Sequence, residues 1–337
     1  MKLPIGKLDP RILEEKVFKY LGFKREEVVL GPIIGGDAAV LRVNGKFLVF
    51  KVDPIVGASK NIGRLAVNIV SNDVACLGAK PIALMLVLLM PENATAEDVE
   101  KIMREAHEEA LKLEAAIVGG HSEVAAGLRN RPPIVIASAL GIPVSSNVIL
   151  PTNVRAGDKI LMTKTVAIEG TAILASEFQE ELEKEYGTEF VGKAKKFIEN
   201  ISVVKEALEL AKRNLTNGMH DPTDGGLLEG LYEMSIAANK GFIVWENKIP
   251  IAEETKVLSK HFNIDPLKLI SSGVLLAAIP SEKTYEAIRV LKEKGIKATV
   301  IGEFTKDPNE RIIIRENGYA EKIIEPVIDE LWKLFKP

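Results

Sequence analysis

The order of apolar and polar positions predicts a chain in which strands and helices follow one another. Residues 38–43 and 46–52 are two strand-like runs, and the Asn44-Gly45 pair between them can supply the two positive φ angles of a type I′ turn. Residues 61–78 are typical of a helix, and the apolar run 82–90 is typical of a buried strand. The first half therefore begins with a β-hairpin and continues with α and β elements in turn.

The same alternation extends through the rest of the chain. Thr95 is predicted to cap a helix over 97–113, with Asp98 as its capping-box partner. Further strands are predicted over 115–118 and 133–142 and near 241–246, 273–279, 297–303 and 311–315, with helices near 170–183, 190–213, 225–238 and 325–335. Pro, Ser, Asn and Gly are frequent over 143–157. We therefore predict an N-terminal extension with a helix (1–30), an N-terminal domain (31–151) and a C-terminal domain (152–337).

Composition narrows the class of protein. A length of 337 residues suits two domains, and a net charge of −3 without a long run of one sign excludes a groove for nucleic acid. The single cysteine, Cys76, excludes an internal disulfide and a cysteine zinc cage. No apolar run approaches the roughly 20 residues that span a bilayer, and a signal-peptide core is absent, so a cytoplasmic protein without membrane contact is expected. Frequent Lys, Glu and Ile suit a thermophile.

Five places combine glycine or asparagine with a carboxylate or histidine beside apolar segments. They are Gly35-Gly36-Asp37, Asp53, Asn72-Asp73, the GGHSE run 119–123 and the HDPTDGG run 220–226. Glycine pairs allow a backbone to approach a phosphate closely, although tight turns would explain each pair equally well. A helix after HDPTDGG could bind an anion at its N-terminus, or Thr223 or Asp224 could simply cap that helix.

Asp73 lies on the apolar stripe of its predicted helix, four residues after Ile69. A buried carboxylate is costly unless a cation, a metal ion or several donors accompany it, and backbone N–H groups alone would also serve. Mg²⁺ prefers oxygen ligands and often shares them with phosphates. Asp37, Asp53, Asp73 and Asp224 are of the right type for such a site, whereas no zinc, P-loop or dinucleotide-binding motif is present.

Taken in order, five segments resemble the motifs of the aminoimidazole ribonucleotide synthetase (PurM-like) superfamily, and within it HypE and HypE-like relatives of hydrogenase maturation. The segments are GGDAAV (35–40), Asp53, IGRLAVNIVSNDVACLGAKP (62–81), GGHS (119–122) and DPTDGGL (221–227). The resemblance implies an α/β fold of two domains. The N-terminal domain would form an intersubunit β-barrel in a homodimer, and the C-terminal domain would be an α/β sandwich.

The resemblance also implies an ATP site beside that barrel. Residues that match Mg²⁺ or phosphate-site positions are Asp37, Asp53 and Asp73. The nucleotide would contact Gly35, Gly36, Asp37, Asn72, Gly119, Gly120 and His121, although relatives often have a carboxylate at the position of His121. The candidates for catalysis are His121, Glu123 and Asp224. Residues 3–7 are expected to be either an ordinary tail or a lid whose Lys7 reaches the phosphates.

Three departures set the chain apart from HypE. It ends in LFKP without the cysteine that receives a carbamoyl group, Glu123 replaces a lysine, and Ser272 replaces a glutamate. We therefore expect Mg-ATP-dependent phosphorylation of an oxygen of an unidentified small acceptor, with release of ADP, rather than the HypE reaction. The alternatives are a thiamine-monophosphate-kinase-like enzyme, which Asp224 favours, HypE activity itself, or a non-catalytic nucleotide-binding scaffold or sensor. A protein partner that delivers the substrate stays open.

Overall fold

The computed structural model describes residues 3, 6–56, 58 and 60–334. Its contacts divide the chain into two compact units. Glu27–Gly31 and Asp37–Val148 form the six-stranded unit, and the other residues, Met1–Glu26, Pro32–Gly36 and Ile149–Pro337, belong to the seven-stranded unit. A short helix α1 (Pro10–Ile12) near the N-terminus continues as a π-helical stretch, Leu13–Val17.

The six-stranded unit is a mixed sheet covered by two helices. Its strands are β1 (Val28–Leu30), β2 (Ala39–Val43), β3 (Lys46–Ile55), β4 (Ala79–Met90), β5 (Ala116–Val124) and β6 (Ile134–Pro143), and its helices are α2 (Ile62–Cys76) and α3 (Ala96–Leu113). The strand order is β1-β2-β3-β6-β4-β5, with β4 and β5 parallel and every other pair antiparallel. The predicted hairpin is confirmed, because Asn44 and Gly45 have φ angles of 49° and 77° between β2 and β3.

Helix α2 packs on one face of this sheet, and α3 packs on α2. Gly63 lets the two helices approach closely, since a Cβ atom there would lie 2.1 Å from the carbonyl oxygen of Ile102. A buried ion pair between Arg64 Nε and Glu109 Oε1 (2.8 Å) joins the same helices. The predicted capping box of α3 is confirmed, with Thr95 and Asp98 each accepting a backbone N–H of the other.

The opposite face of the six-stranded sheet carries exposed apolar side chains. We call it the open face and define it by Phe50, Val52, Met85 and Ile142, which are 44%, 56%, 49% and 47% exposed. Alternation along the strands explains this arrangement, because successive side chains of a strand point to opposite faces. Val49 is fully buried next to the exposed Phe50, and Leu84 and Leu86 are buried on either side of Met85.

The seven-stranded unit surrounds a larger apolar core. Its strands are β7 (Lys159–Thr163), β8 (Gly218–His220), β9 (Gly241–Trp245), β10 (Leu276–Ile279), β11 (Ala298–Thr305), β12 (Arg311–Ile314) and β13 (Ala320–Lys322), in the order β13-β12-β9-β11-β7-β10-β8. Its further helices are α4 (Ile168–Glu177), α5 (Gln179–Tyr186), α6 (Thr188–Lys195), α7 (Val204–Lys212), α8 (Gly226–Ala238), α9 (Glu253–Phe262) and α10 (Thr284–Glu293). None of the helices in the described ranges is long and apolar enough to cross a membrane.

Four predicted elements are wrong in extent. The helix predicted near 170–183 is divided at Phe178 into α4 and α5. The helix predicted over 190–213 is interrupted between α6 and α7, where the Lys164 ammonium donates to the carbonyl oxygens of Asn200 (3.1 Å) and Ser202 (2.7 Å) and so stabilises the break. The strand predicted over 115–118 continues to Val124. Of the helix predicted over 325–335, the described residues form only a 3₁₀ turn, Glu330–Lys333, and residue 335 lies outside them.

The last of these corrections has a local cause. Pro326 cannot donate a backbone hydrogen bond, and the N–H groups of Val327 and Leu331 donate to the side chains of Glu229 (2.5 Å) and Asp329 (2.8 Å). These two N–H groups are therefore not available to the helical ladder.

Candidate functional site

Three of the predicted metal ligands surround a lysine in the six-stranded unit. Lys51 and Asp53 lie on the face of β3 that α2 covers, and Asp73 points back from α2. The Lys51 ammonium is 2.9 Å from Asp73 Oδ2 and 3.5 Å from Asp53 Oδ2. We call Asp37, Lys51, Asp53 and Asp73 the Lys51 cluster.

The charges in the Lys51 cluster act strongly on one another. Burial raises the pKa of Asp73 to about 6, with Lys51 lowering it and the charges of Asp37 and Asp53 raising it further. Burial alone would lower the pKa of Lys51, but the three carboxylates raise it well above its ordinary value. Lys51 is therefore a permanent cation, and Asp37 lies close enough to influence both partners.

The side chains of the Lys51 cluster are of the type that binds a hard divalent cation, but in the described part of the chain the ligand atoms of its three carboxylates do not all lie within 4.8 Å of one another. Its carboxylates offer only oxygen atoms, which Mg²⁺ prefers. The cluster contains three acidic side chains and one basic side chain. Asn72, the neighbour of Asp73 in α2, is fully buried. The predicted burial of Asp73 is confirmed at 4% exposure.

The Gly119-Gly120 pair lies inside β5, so the turn predicted there is wrong. The backbone is extended because Gly120 pairs with Leu86 of β4, and a Cβ atom at Gly120 would lie 1.8 Å from the Leu86 carbonyl oxygen. The pairing of the strands aligns four residues in one row across β3, β6, β4 and β5, namely Asp53, Ala137, Leu86 and Gly120. Gly120 is thus on the same sheet face as Asp53, roughly 14 Å away at the usual spacing of strands.

His121 and Glu123 lie on the other side of this sheet. His121 pairs with Val87, which lies in the same row of paired residues as Pro54. This row is adjacent to that of Asp53, so its side chains point to the opposite face of the sheet. Its Nε2 atom is 3.2 Å from Glu123 Oε2, and both side chains are more than half exposed. The structure therefore does not bring these two candidates to the Lys51 cluster; they belong to the open face.

Gly35 and Gly36 belong to the seven-stranded unit, where packing explains the first of them. Gly35 has a φ of 74°, and a Cβ atom there would lie 2.2 Å from the carbonyl oxygen of Glu233. Gly36 closes a turn by donating its N–H to the Ile33 carbonyl at 3.2 Å. Close approach of a helix thus suffices to require glycine at position 35.

Asp224 and Lys7 meet in the seven-stranded unit. Asp224 Oδ2 accepts the backbone N–H of Lys7 (3.1 Å), and its Oδ1 accepts the indole N–H of Trp332 (3.2 Å). The Lys7 ammonium is 2.5 Å from Glu233 Oε1. Lys7 is therefore fixed by two contacts, while residues 4 and 5 of the segment 3–7 lie outside the described residues.

Two residues with marked chemistry were not predicted. Lys51 could have been found from its spacing, because residues two apart on a strand share a face and Asp53 had already been selected. Glu169, 3% exposed in the first turn of α4, gave no such indication, since an acidic residue in a first turn is usually explained by the helix dipole.

The chain belongs to the family of AIR synthase related proteins. Its residues 35–143 match the N-terminal domain of that family, and its residues 155–315 match the C-terminal domain. The superfamily resemblance and the two-domain α/β fold expected from the sequence are thereby confirmed.

Individual relatives agree with this assignment. The chain is 33% identical to a protein of Methanocaldococcus jannaschii named for hydrogenase expression and formation, over 96% of this chain and 95% of that one. The crystal structure of a HypE–HypF complex matches with a TM-score of 0.76 at 24% identity, over 93% of this chain and 99% of the other. A structure of HypE with ATP matches with a TM-score of 0.71 at 21% identity, over 96% of each chain.

Proposed function

We propose that the protein is a Mg-ATP-dependent enzyme that phosphorylates an oxygen of an unidentified small acceptor and releases ADP. The observation that carries this proposal is the Lys51 cluster, in which carboxylates from β3 and α2 and Asp37 before β2 surround one cation. Phosphoryl transfer depends mainly on positioning and on neutralising charge, which is what such a cluster can provide.

Asp37, Asp53 and Asp73 are the residues that would hold Mg²⁺, which when bound neutralises phosphate charge. Lys51 lies beside both Asp53 and Asp73, and its ammonium would have to move aside for a metal ion that binds these carboxylates. Asn72 and the extended backbone at Gly119 and Gly120 are the proposed phosphate contacts. Lys51 also leaves one fixed positive charge beside the phosphates, where it favours their binding.

The relatives support ATP as the nucleotide. The fold is shared with a HypE structure that contains ATP. Because another similar structure is a complex of HypE with HypF, we also propose that this protein binds a protein partner. Ser272 and Glu123 stand where the HypE motifs have a glutamate and a lysine. We therefore propose an acceptor other than the HypE thiocarboxamide.

The open face supports a homodimer. Four exposed apolar side chains on one sheet face form the kind of surface that marks a protein interface. The family resemblance implies pairing of the two sheets into a barrel, which would bury this face. His121 and Glu123 would then lie at the dimer interface rather than at the metal site.

Product analysis tests this function. Purified protein with Mg²⁺ and ATP is expected to release ADP, faster when the right acceptor is added, and phosphorus NMR then identifies the fate of the phosphoryl group. Inorganic phosphate as the final product indicates a ligase or dehydratase, whereas a stable phosphorylated acceptor indicates a kinase. Tight Mg-ATP binding without turnover for any acceptor would favour the alternative of a non-catalytic nucleotide-binding scaffold. Absence of Mg-ATP binding at millimolar concentration would contradict the proposal.

A further inference from the structure

A tyrosine, a histidine and a glutamate form a hydrogen-bonded chain in the seven-stranded unit. The hydroxyl group of Tyr186, the last residue of α5, lies 3.1 Å from His261 Nδ1, near the end of α9. The other ring nitrogen, His261 Nε2, is 2.9 Å from Oε1 of Glu181, in the first turn of α5. A hydroxyl group, an imidazole ring and a carboxylate are therefore linked in that order, and none of them belongs to the Lys51 cluster.

The carboxylate decides where the hydrogen of the neutral imidazole ring lies. A carboxylate oxygen only accepts hydrogen bonds, so His261 Nε2 carries the hydrogen that it donates to Glu181. In the neutral ring Nδ1 then has no hydrogen, and it accepts the O–H of Tyr186. A hydroxyl group that donates to a bare imidazole nitrogen is placed to lose its proton to that nitrogen while its oxygen attacks an electrophile.

Contacts between aromatic rings hold this arrangement in place. The rings of Tyr186 and His261 meet edge to face with their centroids 5.5 Å apart, and His261 meets Phe262 in the same way at 4.7 Å. Phe178, the residue before α5, packs against Phe262 at 4.8 Å and so joins the two helices again. The orientation of the His261 ring is therefore fixed by packing as well as by its two hydrogen bonds.

The end of α5 leaves room for a small reactant. Tyr186 is only partly buried, and the side chains of His261 and Glu181 are 20% and 58% exposed. Gly187, the next residue of the chain, is exposed, and a Cβ atom there would have no neighbour within 4 Å. The surface beside Tyr186 is therefore open to a small molecule.

We propose that Tyr186 is a nucleophile that accepts an acyl group from an activated acyl donor, with His261 as its general base and Glu181 as the residue that positions His261. The phenolic oxygen forms a bond to the carbonyl carbon of the donor, and the bond from that carbon to its leaving group breaks. The phenolic proton moves to His261 Nδ1 and from there to the leaving group. A neutral acyl carbonyl suits this place better than a phosphate, because Glu181 would repel a phosphate and the three groups include no lysine or arginine to neutralise it. The site shares no residue with the Lys51 cluster, so this inference and the proposed function can fail independently.

Acetylation by N-acetylimidazole tests the site directly. The full-length protein is treated with a limiting amount of the reagent, and mass spectrometry of its peptides gives the rate at each tyrosine. Tyr285, which is 81% exposed on α10, is the reference for an accessible phenol in the same sample. Tyr186 should be acetylated roughly tenfold faster than Tyr285 although it is less exposed, and hydroxylamine should remove the acetyl group because it is a phenolic ester. Acetylation of Tyr186 at the rate of Tyr285 or more slowly would overturn the proposal.

Variants of the other two side chains separate activation of Tyr186 from packing. His261→Gln should slow the acetylation of Tyr186 roughly tenfold, while the rate at Tyr285 and the circular dichroism stay unchanged. Glu181→Met removes the acceptor for Nε2 and should slow it several-fold, whereas Glu181→Gln retains an acceptor and should keep most of the parent rate. An unchanged rate at Tyr186 in His261→Gln, or equal rates in the two Glu181 variants, would overturn the proposal. The comparison with Tyr285 in the parent protein decides the question even where a variant does not fold.

Discussion

Glu229 and Glu233, four residues apart on α8, are almost equally buried but experience opposite electrostatic environments. Burial opposes ionisation of both, yet Lys7 and His220 lower the pKa of Glu233 to about 2. Burial and the charge of Glu233 raise the pKa of Glu229 to about 7, although the N–H of Val327 and the charges of Lys7 and His220 lower it in part. Placement of two cations, rather than burial, therefore decides which carboxyl group is charged.

Glu233→Gln should destabilise the seven-stranded unit at pH 7. A carboxyl group whose pKa falls from 4.5 to about 2 on folding stabilises the folded state above pH 4.5, and this contribution disappears as the pH falls through 2. The loss in the free energy of unfolding should be about 2–3 kcal/mol at pH 7 and should shrink between pH 5 and pH 2. Denaturant titrations followed by tryptophan fluorescence report this unit, because both tryptophans, Trp245 and Trp332, belong to it. A constant difference across this pH range would contradict the prediction.

Glu229→Gln should have the opposite effect. A carboxyl group with a pKa of about 7 in the folded protein and 4.5 when unfolded stabilises the folded state below pH 4.5, and this contribution is lost as the pH rises through 7. Glutamine retains an acceptor for the Val327 N–H but carries no charge. The same titrations should show the variant more stable than the parent by about 1–3 kcal/mol at pH 8, with little difference near pH 4.5. Destabilisation at pH 8 would show that the charge is needed.

A single residue of the candidate site was predictable where the sequence pattern implied that a charged group is buried, which costs free energy. Asp73 was selected because a carboxylate on an apolar stripe requires compensation, and it is buried beside Lys51. The spacing of Lys51 and Asp53 indicated that the two share a strand face, but the pairing of Lys51 with Asp73 could not be predicted, since it exists only after β3 and α2 pack together. Glu169 was missed for the same reason, because its neighbours are distant in sequence.

The position of Gly120 in β5 has a consequence that can be measured. Gly120→Ala should weaken the pairing of β5 with β4, because the added Cβ atom would collide with the carbonyl oxygen of Leu86. We expect a loss of about 2–4 kcal/mol in the free energy of unfolding, within the range for severe backbone strain or overpacking. Hydrogen exchange of the β5 amides should rise in parallel.

Gly119→Ala is the matched control. Its Cβ atom would meet only the flexible end of Met85, at 3.7 Å, which is ordinary contact. Its stability and its exchange rates in β5 should stay close to those of the parent protein. Equal behaviour of the two variants would show that Gly120 is not needed for strand pairing.

Elements defined by adjacent residues were predicted best. The β2–β3 hairpin and the start of α3 depend on a turn and a cap whose residues are neighbours in the chain. The break before α7 and the missing C-terminal helix depend on partners far away in sequence, Lys164 for the first and Glu229 for the second. Local chemistry therefore specifies where elements begin, but tertiary contacts decide where several of them end.

For the molecule as a whole, the open face makes the oligomeric state testable. If two sheets pair through this face, the parent protein should have about twice the chain mass of 36.8 kDa by size-exclusion chromatography with light scattering. Val52→Asp places a charge on the face and should yield monomers, because burying an unpaired carboxylate in an interface is costly. Tyr285→Asp, at an 81% exposed position of the other unit, is the control and should leave the mass unchanged. A monomeric parent would contradict the dimer.

The general architecture was predictable because motifs retain their order along the chain. Two α/β domains and the superfamily were expected from five short segments, and the family matches over 35–143 and 155–315 confirm them. The separation of His121 from Asp53 could not be predicted. It depends on the register of four strands, which decides the sheet face to which each side chain points.

The most direct test is calorimetric titration of the nucleotide-free protein with ATP in the presence and absence of Mg²⁺. The parent protein should bind Mg-ATP, and Asp73→Asn should bind it at least tenfold more weakly while its circular dichroism stays unchanged. Glu114→Gln, which alters an exposed carboxylate of the same unit, should bind like the parent. Equal Mg-ATP affinity in Asp73→Asn and the parent would contradict a metal-nucleotide site at the Lys51 cluster.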